Sequence, residues 1–128
     1  MKNLYVDGGS RNNGSKNQEA RCCLVDEDEL VAIYKLGSKT NNEAEMLAVE
    51  KAFEYIKKKK IEDEVIIWSD SQLAVKLLSG EWNASNPRIK KLLVHLLKVW
   101  PKSKVSVLWS PREVNKAGQV LEFGYIQR

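Results

Sequence analysis

Three carboxylates stand out in this chain for where they sit. Asp7 and Asp70 each close a strand-like run, and Glu45 lies in the first turn of a predicted helix. Asp7 follows Asn3-Leu4-Tyr5-Val6 and is followed by Gly8-Gly9, and Asp70 follows Val65-Ile66-Ile67-Trp68-Ser69. In an α/β sheet, sites gather at the carboxyl ends of the central strands. Parallel neighbours lie about 4.8 Å apart, so aspartates that end two such strands converge. Glu45 falls within the apolar side formed by Ala48, Val49, Ala52 and Ile56, where an ionised carboxylate is costly unless something cationic meets it. Three carboxylates at one point repel one another and raise each other's pKa unless divalent cations neutralise them. An all-oxygen set without His or Cys points to Mg²⁺ or Mn²⁺ rather than zinc. Two such ions, roughly 4 Å apart, make the arrangement for in-line cleavage of a phosphodiester. Each carboxylate alone says less, because strand-end Asp is a common turn former and a first-turn Glu also gains from the helix dipole.

The elements that must position these groups can be read along the chain. Residues 3–7 form a short strand, and the Gly-, Asn- and Ser-rich segment 8–18 reads as a loop. Residues 19–25 and 30–36 are strand-like around the acidic turn Asp26-Glu27-Asp28-Glu29, hence a hairpin. Thr40 followed three residues later by Glu43 is a capping-box start for a helix running to about Lys60. On that helix Glu43, Glu50, Glu54 and Lys57 share the polar side. The run Val65-Ile66-Ile67-Trp68 is continuous rather than alternating, which predicts a central strand buried on both faces. A short helix at 71–79 stops at Gly80. Asn86-Pro87 starts another helix, whose stripe is Ile89, Leu92, Leu93, Leu96, Leu97 and Trp100. A strand at 105–109, a loop at 110–114 and a helix from Asn115 to about Tyr125 complete the order βββαβααβα. A meander followed by helical crossovers implies a mixed five-stranded α/β sheet with helices packed on it.

Composition narrows the function classes. A chain of 128 residues suits one domain, 1–128, and is 43% apolar, ordinary for a soluble globule. No run approaches the ~20 apolar residues of a membrane span, and no signal or transit peptide precedes the first strand, so a cytoplasmic protein is expected. The net charge of +4 is compatible with a polyanionic partner without demanding one. Lys57 to Lys60 reads as a solvated helix end. Cys22 and Cys23 are adjacent, so on a strand they face opposite ways and make poor disulfide partners; both read as small core or half-buried residues.

Four motifs make the pattern specific: Tyr5-Val6-Asp7-Gly8-Gly9-Ser10-Arg11, Thr40-Asn41-Asn42-Glu43-Ala44-Glu45, Ser69-Asp70-Ser71-Gln72-Leu73 and Pro111-Arg112-Glu113-Val114-Asn115-Lys116. With them the chain resembles type 1 ribonuclease H over essentially its whole length, in the compact form without a basic protrusion. The resemblance implies an RNase H-like fold and a metal-dependent endoribonuclease that cleaves the RNA strand of RNA–DNA hybrids. Mg²⁺ or Mn²⁺ would be the cofactor, two ions being expected, and the partner would be the hybrid, met by a monomer. Asp7, Glu45 and Asp70 match three of the family's four metal-binding carboxylates. Asp7 would bridge two ions, and Asp70 and Glu45 would each hold one side, Glu45 also near the RNA 2′-hydroxyl.

The resemblance also carries over substrate positions. Gly8 matches a glycine whose backbone approaches the RNA, and Asn13 matches the Asn of a Gly-Asn-Pro-Gly loop, here Asn12-Asn13-Gly14-Ser15. Thr40 and Asn42 match groups that face the DNA strand, Gln72 a side chain that reads the RNA minor groove, and Arg112 is a candidate phosphate contact. Short amides and hydroxyls suit this work, since they reach sugars, phosphates and minor-groove edges without demanding one sequence.

The chain departs from the family at one catalytic position. The fourth carboxylate stands four residues after the Asn of the last motif, which from Asn115 is Gln119. Gln119 would serve less well, or Asn115 or Glu122 would substitute, or the chain would be a weakened or inactive hybrid-binding protein. The loop before the last helix has no His, and the only histidine, His95, reads as structural or solvent-facing. Trp82 could stack on nucleic acid or pack in a core or an interface. A transposase- or integrase-like core also uses three carboxylates, but places its helical acidic residue last, whereas Glu45 is in the middle.

Overall fold

The computed structural model describes residues 1–126, so the last two residues of the expected 1–128 domain lie outside the described residues. The elements are β1 (Lys2–Arg11), β2 (Glu19–Asp26), β3 (Glu29–Gly37), α1 (Asn41–Lys58), β4 (Val65–Ser69), α2 (Gln72–Ser79), α3 (Pro87–Val99), β5 (Val105–Trp109), a 3₁₀ turn (Arg112–Val114) and α4 (Lys116–Phe123). This is the expected βββαβααβα order. The sheet order is β3-β2-β1-β4-β5, with β1, β2 and β3 antiparallel and β4 parallel to both β1 and β5. The mixed sheet follows from the connections: the loop 12–18 and a tight turn at 27–28 link the meander, and helices carry the chain to β4 and β5.

Alternation along the strands sends side chains to two cores. On one face Leu4, Val6, Cys22, Leu24, Ile67 and Val107 meet Met46, Val49, Phe53 and Ile56 of α1, together with residues of α2 and α3. On the other face Cys23, Val25 and Tyr5 meet Ala117 and Val120 of α4. Cys22 and Cys23 thus face opposite ways, both buried, and burial pushes each thiol up to about 12. Trp100 closes the far side of the larger core, stacked on Phe53 at 6.1 Å and donating from Nε1 to the Val105 carbonyl. Among the described residues no helix is long and apolar enough to cross a membrane.

Three expectations change. β1 does not stop at Asp7 but continues to Arg11, because Gly8 through Arg11 pair with Cys22 through Glu19 of β2. The glycines there, read as a break, remain in the ladder. β4 is central, yet only Val65, Ile67 and Ser69 are buried; Ile66 and Trp68 are half-buried on the face that α4 covers incompletely. Glu43 is not on an exposed polar side but 5% exposed. Its Oε1 accepts from Thr40 N at 3.1 Å while Thr40 Oγ1 accepts from Glu43 N at 3.2 Å, so the capping box folds the side chain back over the helix start.

Candidate active site

The three carboxylates meet where β1, β4 and α1 converge. Val6 of β1 pairs with Ser69 of β4, so Asp7, still in the ladder with β2, and Asp70, just past the end of β4, lie side by side. Asp70 is held by its neighbours. Ser71 N donates to Ser69 Oγ at 3.1 Å, and Ser71 Oγ accepts from Ala74 N, which turns the chain directly from β4 into α2. Glu45 reaches the same point because α1 lies almost on the backbone of β1. A Cβ placed on Gly8 would be 2.4 Å from the carbonyl atoms of Ala44 and 2.7 Å from Glu45 N. Only glycine permits that approach, and Gly8 N then donates to Glu45 Oε1 at 2.5 Å. Ligand oxygens of Asp7, Glu45 and Asp70 all lie within 4.8 Å of one another.

Packing three carboxylates this closely changes their protonation. Burial first, and then the charges of Asp7 and Asp70, push Glu45 up to about 9, although the Gly8 amide pulls the other way. Burial and the Asp70 charge push Asp7 up to about 7, with Arg112 offsetting part of this. Alone, the cluster therefore retains protons at neutral pH. An all-carboxylate set that converges on one point and resists full ionisation fits a hard divalent cation, whose charge would replace those protons.

The fourth side of the site is α4. Asn115 is fully buried and caps this helix, its Oδ1 accepting from Ala117 N at 3.0 Å and Gly118 N at 3.3 Å. Its Nδ2 donates to Val6 O at 2.9 Å, which ties α4 to β1 one residue before Asp7. Both polar atoms of Asn115 are thus committed to the fold, and it is not a substitute metal ligand. Gly118 faces the cluster, a Cβ there lying 3.6 Å from Asp7 Oδ2. Gln119 is half-buried and donates from Nε2 to Glu113 O at 3.1 Å. Glu122, exposed, lines the same groove as the three carboxylates, with Arg112 Nε 3.9 Å from its Oε2.

That groove, about 1190 Å³, runs from Gln72, Trp109 and Arg112 past the carboxylates and along Gly8 to Arg11. Gln72 is exposed at the first position of α2, next to Asp70. Asn13, Thr40 and Asn42 gather at one corner of the molecule. Asn13 Oδ1 accepts from Asn41 N at 2.9 Å and Asn41 Oδ1 accepts from Ser10 N at 2.6 Å, pinning the β1–β2 loop to the start of α1. Asn42 is exposed beside them, whereas the hydroxyl of Thr40 is used by the cap. Two features were missed in the sequence. Trp109 lines the groove and donates from Nε1 to Asp70 O at 3.3 Å. Arg88 of α3 approaches Glu43 at 3.9 Å and lines a second groove with Lys39, Lys91 and His95. The Trp-Ser-Pro spacing after β5 was a signal for Trp109, since a residue ending a strand beside β4 must lie near Asp70. Trp82 is 45% exposed and so not a core residue, and His95 is a surface residue with Nε2 2.7 Å from Glu50 Oε2.

The RNase H family model matches residues 1–111, a segment that contains all three carboxylates and most of the chain. The chain belongs to the RNase H family. α4, with Asn115 and Gln119, lies beyond the matched segment. Among solved structures, LC11-RNase H1 in complex with an RNA/DNA hybrid, a protein isolated from compost by a metagenomic approach, is similar at 26% identity. It matches with a TM-score of 0.76, covering 90% of this chain and 88% of that one. RNase H1 from the halophilic archaeon Halobacterium salinarum is 29% identical, with a TM-score of 0.70 and coverage of 94% and 97%. The N-terminal RNase H domain of rv2228c from Mycobacterium tuberculosis is 27% identical, with a TM-score of 0.72 and coverage of 94% and 88%. No curated protein sequence matches the chain. The RNase H-like fold and the type 1 assignment expected from the four motifs agree with these likenesses.

Proposed function

We propose that this RNase H cleaves the RNA strand of RNA–DNA hybrids, as one domain acting as a monomer in the cytoplasm. The observation that carries the reading is the convergence of Asp7, Glu45 and Asp70 within 4.8 Å on the floor of an open groove, in a chain of this family. The hybrid bound to LC11-RNase H1 supports the choice of substrate. Mg²⁺ or Mn²⁺, two ions in this proposal, would be held by these three residues and would supply charge compensation at the scissile phosphate.

The chain's own residues do the rest. Asp7 is within hydrogen-bonding reach of both other carboxylates and would hold metal together with them. Gly8 N fixes the rotamer of Glu45, so its second oxygen is presented to the groove, where it can accept from a 2′-hydroxyl. That acceptor distinguishes RNA from DNA at the cleaved position. Gln72 and Gly8 border the RNA path, Asn13, Thr40 and Asn42 the DNA path, and Arg112 offers a guanidinium to a phosphate near Asp7. Trp109 is placed to pack against a sugar or base beside Asp70. The test is a labelled hybrid incubated with the chain and Mg²⁺ or Mn²⁺. RNA cleavage that is lost in Asp7→Asn is expected; intact RNA with both ions rules the reading out.

A second reading, hybrid binding with little turnover, has one observation in its favour: α4 offers only Gly118 to Asp7, and the position to which the resemblance assigns the fourth carboxylate carries an amide, Gln119. Under the enzyme reading, Gln119 supports cleavage with a weakened hold on one ion, and Gln119→Asp raises the rate modestly while lowering the Mg²⁺ concentration needed. A near-absent rate in the unsubstituted chain that Gln119→Asp restores would establish the second reading instead.

A further inference from the structure

The groove does not end at the carboxylates. It continues over the α4 face of β1, β2 and β3, where Arg11, Arg21 and Lys35 line it. Gly9 lies on that face between Asp7 and Arg11, and a Cβ there would meet nothing within 4 Å, so the floor is bare and open. Arg21 and Lys35 are directly opposite each other in the β2–β3 ladder. Like charges in that position destabilise a sheet, so the pair is not there for the sheet's sake. One shift in the pairing, between Leu24 and Val25, creates it, and a second follows between Arg21 and Ala20. An unshifted hairpin about the Asp26–Glu29 turn would set Arg21 against Tyr34, and bulges of this kind re-aim side chains beside active sites. Arg21 is held in place from behind, Nη2 donating to Leu121 O of α4 at 2.8 Å. Among the described residues, Arg11, Arg21 and Lys35 form no ion pair with a carboxylate. The acidic residues bordering this stretch are Glu19, across the ladder from Arg11, and Glu122, near Arg112.

We propose that Arg11, Arg21 and Lys35 form a phosphate rail that holds the backbone of the cleaved RNA strand away from the reacting bond. The inference rests on the hybrid-cleaving reading of the carboxylate site. The rail and the carboxylates share one groove, so the strand whose phosphate lies on Asp7 is the one that can continue onto the rail. Arg11 is four residues beyond Asp7, roughly 13 Å along β1, so the phosphate it meets is a different one from the scissile phosphate. Guanidinium and ammonium groups on an open strand face contact phosphates without reading bases, in keeping with a substrate recognised by strand type.

The experiment measures hybrid binding in an Asp7→Asn background, where the RNA stays intact, as a function of salt. Arg11→Ala and Lys35→Ala are the main variants because both side chains are exposed; Lys35→Glu is a second, and thermal melts check each fold. On a long hybrid the double alanine variant is expected to bind about ten-fold more weakly, with the slope of log K against log salt reduced by roughly 1.5 to 2. A hybrid whose RNA ends at the cleavage position on the rail side is expected to bind both proteins alike. An unchanged slope on the long hybrid, or an equal loss on both hybrids, overturns the rail alone. No hybrid binding by the Asp7→Asn chain overturns the hybrid reading and the rail with it.

Discussion

Gly8→Ala is the sharpest test of how the site is built. The substitution adds one methyl group, and its Cβ would sit 2.4 Å from the carbonyl carbon and oxygen of Ala44 and 2.7 Å from Glu45 N. All of these are backbone atoms, so no flexible side chain can swing away. Ordinary contact needs about 3.5 Å, so β1 and the first turn of α1 must separate by roughly 1 Å. Overpacking of this kind costs about 1–3 kcal/mol, or a fall in Tm of very roughly 10 °C for a chain of this size. The same movement stretches the 2.5 Å bond from Gly8 N to Glu45 Oε1 and withdraws Glu45 from Asp7 and Asp70. A displacement near 1 Å at a reacting centre costs on the order of 100-fold in rate. The assay pairs a thermal melt with hybrid-cleavage kinetics. If Gly8 serves only to let RNA approach, KM rises while Tm stays put. A variant with unchanged Tm and unchanged kcat would refute the claim that the strand–helix contact sets the carboxylate geometry.

Other consequences can be measured with the chain free of divalent ions. The folded-state pKa values of Asp7 and Glu45 are raised, to about 7 and about 9, so between about pH 4 and 9 the folded chain binds more protons than the unfolded one. Stability from this source is therefore full below the unfolded carboxylate pKa and falls as pH rises through the folded values. Tm without metal should drop from pH 5 to pH 9, and saturating Mg²⁺ should flatten the drop; a metal-free Tm that rises over that range contradicts the assignment. Asn115→Ala removes a cap worth about 1 kcal/mol and a buried hydrogen bond to Val6 O, so urea unfolding should show a loss of about 2–3 kcal/mol. Cys22 and Cys23, buried with pKa values of about 12, should resist a thiol reagent at pH 8 in the native chain and react in denaturant.

How much of this was legible in the sequence depends on the range of the signal. Element order followed from local periodicity, from the Thr40–Glu43 capping box and from Asn86-Pro87. The convergence of Asp7 and Asp70 followed from one topological step, the parallel neighbourhood of β1 and β4. What escaped was set by contacts between elements. Gly8-Gly9 looked like a strand end because glycine usually breaks a ladder, yet Gly8 is required by the backbone of α1 lying against it. Glu43 falls on the polar side by its helical angle alone, which does not register the fold-back that the capping box imposes. The facing of Arg21 and Lys35 depends on the bulge between Leu24 and Val25, and a bulge leaves no local sequence pattern that marks a shift of register.

The same division explains why the three carboxylates keep their places independently of what α4 carries. Asp7, Glu45 and Asp70 are fixed by backbone relations: the Val6–Ser69 pairing, the Gly8–Ala44 approach and the Ser69–Ser71 turn. None of these involves a side chain of α4. The helix is tied to β1 through Asn115, whose hydrogen bonds to Val6 O and to its own first turn do not depend on the side chains at 118 and 119. A change at Gln119 therefore leaves the three carboxylates where they are. That separates two consequences which would otherwise be confounded: under the proposed function a variant at 119 acts on ion affinity, whereas a variant at 115 acts on the register of α4 and so on stability. If Gln119→Asp shifted Tm as far as Asn115→Ala does, this separation would be wrong, and α4 would have to be counted among the elements that build the triad.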